Sequence, residues 1–194
     1  MEIASKCGLS FEALKEAINF LEVENIAKID ENTVQFEEGA KVLASVVALK
    51  LGSSIDEVSK VLSWKDFEEF VFTIMTYNGY RVRQNLRLRL PKIEIDVLAI
   101  RDGRGLAIDC KHWHRSVGLS SISKIAEAQI KRAEKLMMSD EAKRFNLSYL
   151  IPVIVTLYSE QLFVNKVPIV PIDKFSNFLN ELDSILDMIL VIKR

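Results

Sequence analysis

The sequence predicts a mixed α/β fold: one central β-sheet flanked by helices, preceded by a small, mainly helical module. Three observations carry this. The run Lys92 to His114, "KIEIDVLAIRDGRGLAIDCKHWH", alternates apolar residues on both sides of "DGRG" and forms a β-hairpin pattern. The run "SYLIPVIVTL" is apolar throughout, as in a strand covered on both faces. Between them, "SISKIAEAQIKRAEKLMM" repeats its apolar residues at helical spacing. Strands and helices therefore alternate, which calls for one sheet with helices packed on it.

The remaining elements follow in order. In "IASKCGLSFEALKEAINFLEVENIAKIDENTVQF", a short helix ends at Gly8 and Ser10 caps a second helix. Phe11, Leu14, Ile18 and Leu21 form the apolar stripe of that helix. A hairpin turning at Asp30–Asn32 and a third helix near Glu38–Leu51 complete a module spanning residues 1–52. It resembles winged helix-turn-helix domains. Glu12, Glu16, Glu22 and Glu24 against a lone Lys15 make the second helix acidic, so packing, dimerisation or a protein partner suits it better than base readout. "LGSSIDEVSK" then separates the module from residues 53–194, with Ser53 or Ser54 as a helix cap. "WKDFEEFVFTIMTYNG" is a helix burying Phe67, Val71, Ile74 and Met75 and closing at Gly79. "YRVRQNLRLRL" is a strand, followed by the hairpin, the long helix and the apolar strand. "VPIVPIDKFSNFLNEL" supplies a last short strand and a helix.

Composition narrows the classes. The chain has 194 residues and a net charge of −1, so bulk charge does not make it a polyanion binder. The charge is uneven: residues 1–52 carry a net −4 and residues 101–145 a net +4. Cys7 and Cys110 stand far apart with no metal-type spacing. With no apolar run of bilayer length and no basic-then-apolar leader, the expectation is a reduced, cytoplasmic protein.

The hairpin poses the chemical question, because Asp96, Asp109 and Lys111 lie in its most apolar part. If "DGRG" is the turn, Arg101 pairs with Leu106, Leu98 with Asp109, and Asp96 with Lys111. Cross-strand partners share a face, so two carboxylates and an ammonium converge. Carboxylates this close repel unless a cation lies between them. Oxygen-only ligands suit Mg²⁺, and a lysine beside it can serve a developing oxyanion or hydroxide. A structural Asp–Lys ion pair at a sheet end is the competing explanation.

"EIDVLAI…GLAIDCK" resembles the core motif of the PD-(D/E)XK nuclease superfamily, the restriction-endonuclease-like fold. Asp96 matches its first acid, and Asp109 with Lys111 match its (D/E)-x-K. "DFEEFVFTIMTYNGYRVRQ" is similar to the opening helix of Mrr-type restriction endonucleases and archaeal Holliday-junction resolvases, where Glu68 matches the helix glutamate. Gln129 in "AEAQIKRAEKL" matches a glutamine on the helix after the motif strand. The resemblance covers roughly residues 64–175. Two departures stand out: Glu94 and Ile95 replace the proline ahead of the first acid, and Asp109 stands where Glu is more frequent.

The resemblance implies a Mg²⁺-dependent DNA endonuclease, with Mn²⁺ as a substitute, working as a homodimer in repair, recombination or restriction. It implies Asp96, Asp109 and Glu68 as metal ligands, Lys111 at the attacking water, and Gln129 orienting Lys111 or the DNA. A non-cleaving nucleic-acid-binding or adaptor protein on the same fold is the alternative. Around the site, Arg81, Arg83, Arg87 and Arg89 share one strand face by parity. That face is either a phosphate track or a solvated sheet edge. His112, His114 and Arg115 flank Trp113, a set suited to a nucleic-acid strand or to packing under a loop.

Overall fold

The structure is a computed structural model that describes residues 2–30, 33–36, 39–111 and 118–193. The chain opens with α1 (Glu2–Cys7) and α2 (Phe11–Val23), whose first turn is held by the Ser10 side chain accepting from Ala13 N–H. The two-stranded β1 (Ala27–Asp30) and β2 (Thr33–Phe36) and then α3 (Ala40–Lys50) follow, as the sequence led one to expect. Two capped helices come next. Ser54 and Glu57 form a capping box at α4 (Ile55–Val61), and Ser63 and Asp66 form another at α5 (Trp64–Tyr77).

The sheet is built from β3 (Arg81–Leu88), β4 (Ile93–Arg101), β5 (Arg104–Lys111), β6 (Tyr149–Thr156), β7 (Phe163–Val164) and β8 (Val167–Pro171). Strand order is β3-β4-β5-β6-β8-β7, with β9 (Ile192–Lys193) added antiparallel to β6. β3, β4 and β5 run antiparallel, whereas β5–β6 and β6–β8 are parallel. The parallel step needs a crossover, supplied by α6 (Leu119–Met137) and the short α7 (Asp140–Arg144). α8 (Phe175–Glu181) follows β8. The short β7, β9 and α7 carry too little periodicity to be read from sequence.

Two layers cover the sheet. On one side Phe67, Val71 and Met75 of α5 pack with Val97, Ala99, Leu106 and Ile108, joined by Val42 and Val46 of α3. On the other, Ala133, Leu136 and Met137 of α6 pack with Leu98, Ile100, Ala107 and Leu150. Ile74 is half-buried rather than fully buried. α3 is seated on α5 through Gly39, at φ +79°, where a Cβ would come within 2.3 Å of the Phe70 ring. The Lys41–Asp66 ion pair at 2.8 Å ties α3 to the first turn of α5. Bonding to Lys41 and to the Ser63 hydroxyl and amide holds the Asp66 carboxyl at about 2.

The hairpin register differs from the sequence expectation by two residues. Arg101 pairs with Arg104, Leu98 with Ala107, and Val97 with Ile108. The turn holds two residues rather than four. Asp102 and Gly103 both take positive φ, at 51° and 78°, as the right-handed twist of a tight hairpin demands. Extended by one step, this register sets Asp96 against Asp109 and not against Lys111.

The alternation of faces also breaks at this level. The side of β4 that carries Val97 and Ala99 would be shared by Ile93 and Ile95 if parity held, yet Val97 and Ala99 pack under α5 while Ile93 and Ile95 pack under α6. On β3, Val82 joins the α5 core while Leu86 and Leu88 join the α6 core.

 The switch falls at Asp96 and, beside it on β3, at Asn85, whose φ is +50°. The even spacing of Arg81, Arg83, Arg87 and Arg89 therefore does not place them on one face. Arg81 and Arg83 lie before the switch, Arg87 lies after it, and Arg89 has left the strand for the turn.

Candidate active site

The break in β4 positions the first acid. The β4–β5 ladder ends at Val97–Ile108, and the Cys110 N–H donates to Asp96 Oδ2 at 2.8 Å. The Asp96 side chain thus takes a bond from the backbone of the neighbouring strand. Burial, and then the Asp109 carboxylate beside it, push Asp96 up to about 6. Cys110 N–H and Lys111 oppose the rise, and Glu68 adds to it. Burial also pushes the Cys110 thiol up, with Asp96, Glu68 and Asp109 as further causes. Three carboxylates therefore face one small region, two from the hairpin and one from α5.

Asp109 is 3% exposed and is held from both sides. Lys111 Nζ lies 2.7 Å from its Oδ2, and Arg132 Nη1 donates to its Oδ1 at 2.9 Å. Arg132 comes from α6, where with Lys124, Lys131 and Lys135 it makes the helix basic, a pattern that fits a DNA-facing side or plain solvation but does not point to Asp109. Its Nη1 also donates to Gln129 Oε1 at 3.1 Å. Gln129 is fully buried, and its Nε2 donates to the Ala107 carbonyl at 2.7 Å. Gln129 thus orients Arg132, and through it Asp109, in place of the expected partner Lys111. It also fastens α6 to β5.

Trp64 is the second residue the sequence reading missed. Its indole N–H donates to Glu68 Oε1, and the Lys111 ammonium sits over its ring, 5.3 Å from the centroid. Trp64 thereby links the α5 acid to the motif lysine. The only sequence signal was its place beside the Ser63 cap, one turn before Glu68. Of the arginines, Arg81 donates to the Phe145 carbonyl at 3.2 Å and Arg87 pairs with Glu94 at 2.7 Å. His112, His114 and Arg115 lie outside the described residues.

The donor set fits a hard divalent cation, which adds positive charge among three carboxylates: Asp96 and Asp109 lie close together, and Asp96 is raised by burial first and by Asp109 second. In the arrangement described, that charge comes from Lys111 and Arg132. Among the described residues no group of three His, Cys, Asp or Glu side chains is set to hold a metal ion. Glu68 is tied to Trp64, and both Asp109 oxygens are tied to cations.

A seven-stranded mixed sheet between helices, with an acid–acid–lysine cluster where its central hairpin ends, defines a restriction-endonuclease-like domain. Residues 59–143 match the family model Mrr_cat, described as restriction endonuclease, a match consistent with the PD-(D/E)XK superfamily near the Mrr type. The match points to an endonuclease, a class that generally uses divalent metals. No curated protein matches the chain. A crystal structure of a protein of unknown function, AF1548, is 24% identical, with a TM-score of 0.36. That match spans about half of either chain, 48% of each. Among the described residues no helix is long and apolar enough to cross a membrane.

Proposed function

We propose that this protein is a divalent-metal-dependent DNA endonuclease that hydrolyses phosphodiester bonds in repair, recombination or restriction. The observation that carries the reading is the convergence of Asp96, Asp109 and Lys111 at the end of the hairpin, with Glu68 facing them from α5. Asp96, Asp109 and Glu68 would hold Mg²⁺, or Mn²⁺ in its place. A cation held there supplies Lewis-acid stabilisation of charge gathering on the phosphate oxygens. Lys111, steadied by Asp109 and the Trp64 ring, positions the attacking water in line with the leaving oxygen. The water oxygen bonds to phosphorus and gives up a proton, the bond from phosphorus to the sugar oxygen breaks, and that oxygen takes up a proton in turn, so that one water is consumed and no net proton is gained or lost.

Assembly follows the same reading. A homodimer would place two such sites on two strands. The N-terminal module is suited to that contact or to a protein partner, because α2 buries no residue and leaves Phe11 and Val23 exposed. The second reading, a non-cleaving nucleic-acid-binding adaptor, draws on the occupation of both Asp109 oxygens by Lys111 and Arg132.

The test is cleavage of linear duplex, single strand, flap and four-way junction DNA with Mg²⁺, Mn²⁺ or EDTA. Lys111→Ala and Asp109→Ala are the controls. Metal-dependent cutting that both substitutions abolish is the expected result. Binding without cutting, unchanged in both variants, would leave the adaptor reading standing instead.

A further inference from the structure

The tip of the β3–β4 hairpin and α6 form an open groove of about 460 Å³, which adjoins Asp109 through Arg132. Arg87, Lys92 and Glu94 line it from the hairpin, and Lys131, Arg132 and Lys135 line it from α6. The α6 residues recur at three- and four-residue steps, so they form one stripe along the helix.

The charges in this groove do not cancel. Glu94 is taken up by Arg87, whose Nε and Nη2 donate to the same carboxylate oxygen at 2.9 and 2.7 Å. Arg132 turns inward to Asp109. Among the described residues, Lys92, Lys131 and Lys135 have no acidic partner. Beside the Arg87–Glu94 pair, three ammonium groups that make no ion pair among the described residues therefore line one concavity. They repel one another, and the concave wall focuses their field toward an incoming anion. The groove also shares a side chain with the site: Arg132 lines the one and holds Asp109 in the other.

We infer that this groove is a phosphodiester-backbone subsite, in which Lys92, Lys131 and Lys135 hold phosphates of a nucleic-acid strand flanking the phosphate at Asp109. The inference rests on the nuclease reading and adds the path of the strand. The strand runs from Asp109 along the C-terminal half of α6 to the hairpin tip, and of the four β3-region arginines it meets Arg87. Arg132 is the positioning residue at the junction, able to face Asp109 or the strand.

The experiment is fluorescence anisotropy of a labelled duplex in EDTA over a range of NaCl concentrations, where no cleavage occurs. The variants are Lys131→Gln with Lys135→Gln, the charge-keeping Lys131→Arg with Lys135→Arg, and a control pair, Lys15→Gln with Lys193→Gln. The glutamine pair is expected to weaken binding about tenfold and to make the log–log salt slope shallower by about 2. The arginine pair and the control are expected to bind as the unaltered protein does. An unchanged Kd and slope in the glutamine pair would overturn the subsite, even in a protein that cuts DNA with Mg²⁺. Inorganic phosphate is the second probe. Phosphate binding lost in the glutamine pair while duplex binding stays intact would mark a small-anion pocket and also overturn the inference. A chain that shows the expected shift in duplex binding but never cuts would sink the nuclease reading and leave the subsite in place.

Discussion

Asp96→Asn is expected to stabilise the metal-free protein at neutral pH. Asp96 is pushed from its ordinary 3.8 to about 6 by burial and by Asp109. The folded chain thus binds this proton more tightly than the unfolded chain does. Ionised Asp96 costs stability above about pH 6, and the cost fades as the pH falls toward 4. A shift of this size corresponds to ~3 kcal/mol at pH 7.5 and to under ~1 kcal/mol at pH 4. Asparagine keeps an oxygen for the Cys110 N–H and never carries the charge. Thermal melts in EDTA should show Asp96→Asn melting roughly 5–10 °C above the unaltered protein at pH 7.5, with little difference at pH 4. A variant no more stable at pH 7.5, or stabilised equally at both pH values, would refute the account of a carboxylate that burial and Asp109 make costly to ionise. Added Mg²⁺ should stabilise the unaltered protein and not the variant, because a cation offsets the same cost.

Two further outcomes follow from the α6 side of the site. Gln129→Leu leaves the buried Ala107 carbonyl without the side-chain donor it has and takes one acceptor from the half-buried Arg132, so urea unfolding should show a loss of about 1–3 kcal/mol. Arg132→Met removes a cation that occupies Asp109 Oδ1, so calorimetry with Mn²⁺ should show several-fold tighter binding; weaker or unchanged binding would mean that Arg132 does not compete with the metal.

Much of the fold was legible in the sequence because its signals are local. Ser10, Ser54 and Ser63 cap helices within three residues of themselves. The Asp-Gly pair turns a hairpin whatever surrounds it, and the apolar run of β6 admits little but a covered strand. The acid–acid–lysine motif was visible for the same reason, since Asp109 and Lys111 are two residues apart on one strand.

What lay beyond the sequence depends on tertiary structure. Reading "DGRG" as a four-residue turn shifted every cross-strand partner, because pairing is counted outward from the turn and any error there is carried along both strands. The face switch at Asp96 and Asn85 is invisible to parity, and on β3 it goes with the left-handed conformation of Asn85. Arg132 reaches Asp109 across 23 residues of sequence, and Trp64 meets Lys111 from another helix. The sequence determined which groups carry charge and which segments become strands and helices, through short-range sterics, capping and periodicity. Only the packing of α5 and α6 on opposite faces of the sheet brought Arg132 to Asp109 and Trp64 to Lys111. Those contacts join residues that no local rule brings together.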